Sequence, residues 1–147
     1  MSQTIRLKHQ LVRFLPAFLI PVLFAISLGC DSSGVQRYRF SGTVSYQGKP
    51  VPQGTIMLEP DTSKGNSGAA GSAAIVDGRF DSSANGTGFT GGPQIVSIQG
   101  FDGVNPEPDF APYGAPIGKG KSYIKPFDFP EEDVEMDFEM ADVIDAK

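Results

Sequence analysis

The chain has 147 residues, enough for one domain but not for two compact ones. Gly and Pro together make up about 20% of it, yet 39% hydrophobic residues exclude a wholly disordered chain. A single cysteine excludes an intramolecular disulfide, and there is no tryptophan.

The first thirty residues have the grammar of an export signal. Arg6, Lys8 and Arg13 precede an uncharged run, Phe14 to Leu28, which ends at Gly29 and Cys30. A basic start, an apolar run of about 15 residues and a small residue at the boundary predict a cleaved signal helix. A spanning helix needs about 20 apolar residues, and this run is shorter and interrupted by Pro16 and Pro21. Ser27-Leu28-Gly29-Cys30 resembles the lipobox of bacterial lipoproteins, with Ser27 and Leu28 in the reverse of the usual order. The resemblance implies that Cys30 is the lipid attachment site and becomes the acylated N-terminus. The expected location is therefore exported and lipid-anchored, on the cell membrane or outer membrane, facing the periplasm or the cell surface.

Without residues 1–29 the chain holds 9 bases and 17 acids, a net charge of -8. An acidic exported domain lacks the basic footprint that nucleic acid requires. Residues 30–36 read as a polar tether and 37–147 as the folded domain.

In that domain, Tyr38, Phe40, Val44 and Tyr46 alternate with Arg39, Ser41, Thr43 and Ser45, which predicts a half-buried strand. Gln47-Gly48-Lys49-Pro50 is a turn, and Thr55 to Glu59 a second strand with Ile56 and Leu58 on one face. After a polar loop, Ala73 to Val76 and Arg79 to Asp81 flank Asp77-Gly78, a strong type I′ hairpin signal. A Gly-rich loop from Ser82 to Gly92 leads to a strand from Gln94 to Gln99. A Pro-rich irregular stretch, Gly100 to Lys119, precedes the segment Ser122 to Phe127, which is strand-like up to Pro126. Last, Val134, Met136, Phe138 and Met140 alternate with Glu135, Asp137 and Glu139, as in an outer strand whose charges oppose sheet association. No part of the domain keeps helical spacing over three turns. Seven short strands predict an all-β fold, a seven-stranded antiparallel β-sandwich of transthyretin-like or immunoglobulin-like type.

Ser41-Gly42-Thr43-Val44-Ser45-Tyr46-Gln47-Gly48-Lys49-Pro50-Val51-Pro52 resembles the opening strand and turn of transthyretin-like, carboxypeptidase-regulatory-like domains, with Gly54 where Ala is common. Gly54 to Pro60, Gly65 to Gly68, Asp77 to Phe80, and Gly91 to Pro93 through Gly100 to Gly103 are similar to small planctomycete-type lipoproteins. The resemblance implies a fold and a place, not an activity.

The chemistry of the domain is defined mostly by exclusion. The only histidine is His9, inside the signal, so Ser-His-Asp and Cys-His catalysis lack a base and His/Cys zinc sites lack ligands. No Walker A loop or strand–GxGxxG–helix unit is present. No catalytic residue, metal ligand or cofactor is therefore expected, and the chain reads as a non-enzymatic binding or structural module. Two alternatives stay open: a secreted carboxylate-based hydrolase, and a calcium-dependent adhesive module using Asp102, Asp109 or the acids of 131–137, which lack EF-hand order. The 101–119 loop is the best binding candidate, through Phe101, Phe110 and Tyr113. Phe110 and Tyr113 either contact a partner or fold back over a sheet edge. Expected partners are the membrane, through the lipid, and an envelope protein or polysaccharide.

Overall fold

The computed structural model describes residues 34–104 and 110–144. The chain divides after Gly34, and the unit Val35–Lys147 holds all but one of the described residues. The signal segment, Cys30 and most of the expected tether lie outside them.

The fold is mostly β. Its strands are β1 (Phe40–Tyr46), β2 (Lys49–Pro50), β3 (Gln53–Pro60), β4 (Gly71–Val76), β5 (Arg79–Asp81), β6 (Gly86–Thr87), β7 (Gly92–Phe101), β8 (Tyr123–Phe129), β9 (Val134–Glu135) and β10 (Phe138–Glu139). Among the described residues two single-turn α-helices, α1 (Ser82–Asn85) and α2 (Ala141–Ile144), and two 3-10 turns, Thr62–Lys64 and Gly118–Gly120, accompany them. Seven strands form one hydrogen-bonded path in the order β10-β1-β5-β4-β3-β7-β8, with β2 and β9 added to β1 and β6 to β4. The path curls into a half-barrel. The strands are thus joined in a single sheet, where the sequence predicts two.

The local signals explain most of the elements. Asp77 (φ 48) and Gly78 (φ 74) both occupy the left-handed region that a type I′ turn demands, and Val76 pairs with Arg79 across it. Ile56 and Leu58 of β3 point to the core together with Val96 and Ile98 of β7, in antiparallel register. Strand β8 does not stop at Pro126 but continues to Phe129. It ends the path, so the missing N–H of Pro126 costs no ladder bond and offers nothing to a further strand. The Gly-rich stretch 82–92 is not merely a loop. Phe89 within it is 0% exposed and exchanges backbone hydrogen bonds with Tyr38.

The C-terminal strand departs most from expectation. It is broken into β9 and β10, and both pair with β1 in parallel. Chain direction explains this. Successive strands of the path alternate, so β8 runs opposite to β1, and the turn after β8 brings the final segment back in the sense of β1. The N–H groups of Val134, Met136 and Met140 donate to the carbonyls of Arg39, Ser41 and Ser45. In return, Arg39 N–H donates to Asp133 Oδ1 (2.7 Å), Thr43 N–H to Asp137 Oδ1 (3.0 Å) and Gln47 N–H to Glu139 Oε1 (2.9 Å). Two of the acids expected to repel neighbours, Asp137 and Glu139, therefore complete the pairing, together with Asp133.

Phe138 is carried inward by this seam. Its ring meets Phe80 of β5 (6.1 Å between centroids) and, across the gap between the sheet ends, Phe127 (5.7 Å) and Tyr123 (5.9 Å) of β8. Phe40, Phe80, Phe138, Phe127, Phe129 and Phe89 form a closed circuit of ring contacts. Aromatic pairs in such tilted and edge-on arrangements contribute about 0.5–1.5 kcal/mol each beyond their burial.

Gly42 allows the seam to close. Its φ is 151, and a Cβ there would collide with the carbonyl oxygen of Met136. Gly42→Ala should lower stability by about 2 kcal/mol or more, measured by urea unfolding. An unchanged midpoint would show that β9 can retreat without cost.

Candidate functional site

The expected loop has a well-tied base. Past the end of β7, the Asp102 N–H donates to the Ala115 carbonyl (3.0 Å) and the Gly103 N–H to the Tyr113 carbonyl (3.1 Å), while the Ile117 N–H donates to Gly100 (3.0 Å). Asp102 Oδ1 accepts from the N–H groups of Val104 and Ala115, each at 2.9 Å. The carboxylate considered for calcium is thus engaged with loop backbone, and Asp109 lies outside the described residues. Among the described residues no three His, Cys, Asp or Glu side chains are grouped to hold a metal.

Phe110 is 87% exposed and Tyr113 54% exposed. Phe101 is half-buried at the end of β7, with its ring 5.7 Å from that of Tyr113. The structure brings Phe101 and Tyr113 together. Neither Phe110 nor Tyr113 is buried, so they are not the lid over the sheet edge. Ile117 takes that part, packing on the core beside Gly100. The loop therefore presents aromatic surface on a fixed stem.

Among the described residues, the two carboxyls with shifted pKa are both lowered. Hydrogen bonding to the Arg39 guanidinium (2.9 and 2.7 Å), then to the hydroxyl and N–H of Ser83, holds Asp81 far below the usual carboxylate range. Burial works to raise Glu139. It is outweighed by hydrogen bonds from Ala141 N–H, the Ser45 hydroxyl, Gly48 N–H and Gln47 N–H, which leave it below 4.5. A general acid that donates a proton at neutral pH needs the opposite displacement.

A second feature was not legible in the sequence. On the outer face of the sheet, Ser41, Thr43 and Ser45 form a column of small hydroxyl side chains along β1. Thr43 is paired with Arg79 and Ser41 with Asp81 on β5. Arg39 bends diagonally onto Asp81, and Glu135 of β9 lies beside Ser41. Between these walls is a hollow of about 290 Å³, also lined by Asn85, with Ala74 and Val76 of β4 contributing apolar surface. A second hollow of about 300 Å³ shares Thr43 and Arg79 with the first and reaches Asp77 and Pro50. Only strand register, which the sequence does not state, brings these residues together.

No family model, curated protein or solved structure matches the chain. Among the described residues no helix is long and apolar enough to cross a membrane.

Folding depresses the Glu139 pKa, so this group adds stability that is complete above about 4.5 and lost as pH falls through its lower folded value. The melting temperature should therefore drop on acidification below about 4.5, with a shallower dependence in Glu139→Gln. Thermal melts across this range, followed by circular dichroism, check both.

Proposed function

We propose that the chain is a non-catalytic lipoprotein of the bacterial envelope, anchored through Cys30, whose domain displays a binding loop to an envelope protein or polysaccharide. The observation that carries the binding role is the exposure of Phe110 and Tyr113 above a hydrogen-bonded stem. Exposed rings on a fixed support lose little entropy on contact and supply much of an interface's energy. The anchor is supported by the basic start, the apolar run and the single cysteine at the boundary. A transthyretin-like relationship is supported by the opening segment, in which β1, the Gln47-Gly48 turn and β2 follow the order of the resemblance.

Two variants test the two halves of the reading. Cys30→Ser should move the protein out of the membrane fraction, and full retention there would refute the anchor. Phe110→Ala with Tyr113→Ala should weaken capture of an envelope partner by about 2 kcal/mol or more. The melting temperature should hardly change, because exposed side chains contribute within about 0.5 kcal/mol. A large drop in melting temperature with unchanged capture by the folded fraction would refute the binding loop.

A further inference from the structure

The outer-face trough has a composition that selects its ligand. Its first wall is fixed before anything binds: Arg39 is held by both oxygens of Asp81, and Asp81 by the N–H and hydroxyl of Ser83. Three other polar side chains, Arg79, Asn85 and Glu135, are exposed at the same hollow and form no side-chain hydrogen bond among the described residues. They comprise a guanidinium with five N–H donors, an amide with donors and an acceptor, and a carboxylate that only accepts.

We propose that this trough binds a neutral, hydroxyl-rich chain, that is, a saccharide segment laid across β1 and β5. Charge excludes the simpler ligands. An anion drawn to Arg79 meets Glu135 and Asp81 in the same hollow and Asp77 in the next, on a domain that is already acidic. A cation drawn to Glu135 meets Arg39 and Arg79. A peptide has no strand edge to extend here, because β5 lies paired between β1 and β4 beneath the trough. Sugar hydroxyls both donate and accept, and adjacent pairs match the planar guanidinium, carboxylate and amide. Ala74 and Val76, the latter 50% exposed, offer apolar surface to the C–H face of a ring. The two hollows share Thr43 and Arg79, so an extended chain can occupy both. Each lies at the lower limit of ligand-site volumes, about 300 Å³, which suits a short segment of a polymer. Phe80, the one aromatic residue at the trough, is buried in the core and leaves no ring for stacking. Affinity should therefore be near ~1 mM. This site depends on neither the Cys30 anchor nor the 101–119 loop.

The test is a ¹H–¹⁵N NMR titration of the full chain in a non-glycosidic detergent, with neutral α- and β-linked glucose hexasaccharides at about 10 mM. Hexagalacturonate and hexaglucosamine serve as the charged counterparts. Neutral oligomers should shift the amides of Thr43, Arg79 and Asn85. Arg79→Ala should weaken binding about tenfold, whereas Lys121→Ala, away from the trough, should leave it unchanged. The spectrum of the unliganded Arg79→Ala protein verifies its fold. The proposal is overturned if no neutral oligomer shifts the trough, if either charged oligomer binds more tightly, or if shifts are confined to Phe110 and Tyr113.

Discussion

The docking of the last strand onto β1 is the constraint on which the rest of the structure depends. A sheet that curls without closing has two ends, and each end leaves backbone groups and apolar side chains to be covered. Here the C-terminal segment covers one end by an exchange. Its N–H groups go to carbonyls of β1 and of Arg39 just before it, and its carboxylates take the N–H groups of Arg39, Thr43 and Gln47, in and beside β1. Such charge-assisted hydrogen bonds are stronger than neutral ones, and they tolerate the break at Met136 and Asp137 between β9 and β10. The other end is reached by ring packing, where Phe138 meets Phe127 and Tyr123 of β8. Backbone pairing on one side of Phe138 and ring packing on the other turn an open sheet into an enclosed core.

This closure also shapes the outer face. Residues that alternate with the inward Phe40 and Val44 on β1 are small hydroxyl residues, so β1 forms a low floor. Glu135 rises on the β9 side, and Arg39 with Asp81 on the β5 side, leaving the trough between them. The aromatic loop is built on a separate stem at the end of β7, where Asp102 ties two backbone N–H groups. One surface is apolar and projecting, the other polar and recessed, and each is held by bonds that exist before any ligand arrives. Prior ordering of this kind lowers the entropic cost of binding.

Features decided by neighbouring residues were legible in the sequence. The Asp77-Gly78 turn depends on two residues that accept positive φ, and the faces of β1, β3 and β7 follow from alternation. Alternation shows which side of a strand is apolar but not which strand lies beside it. The parallel return of β9 and β10 is fixed by the number of reversals in the path, a property of the whole chain. Phe89 was hidden because Gly88 and Thr90 flank a single apolar residue with no periodic partner. Phe110 and Tyr113 were identifiable as loop aromatics, but that Ile117, and not either ring, packs on the core beside Gly100 was not. The trough joins Arg39 to Asp81 and Thr43 to Arg79, pairs separated by 42 and 36 positions, and only register relates them.

Native-state hydrogen exchange tests most directly whether the seam is integral to the fold. The relevant amides are Thr43, bonded to the Asp137 carboxylate, and Met136 and Met140, bonded to β1 carbonyls. If the last strand closes the core, these amides should exchange only through global unfolding, with the same protection and denaturant dependence as Ile56 and Ile98 at the centre of the β3–β7 ladder. Rapid, denaturant-independent exchange of Thr43, Met136 and Met140 while Ile56 and Ile98 stay protected would contradict the account. It would show a strand that opens locally while the core remains closed without it.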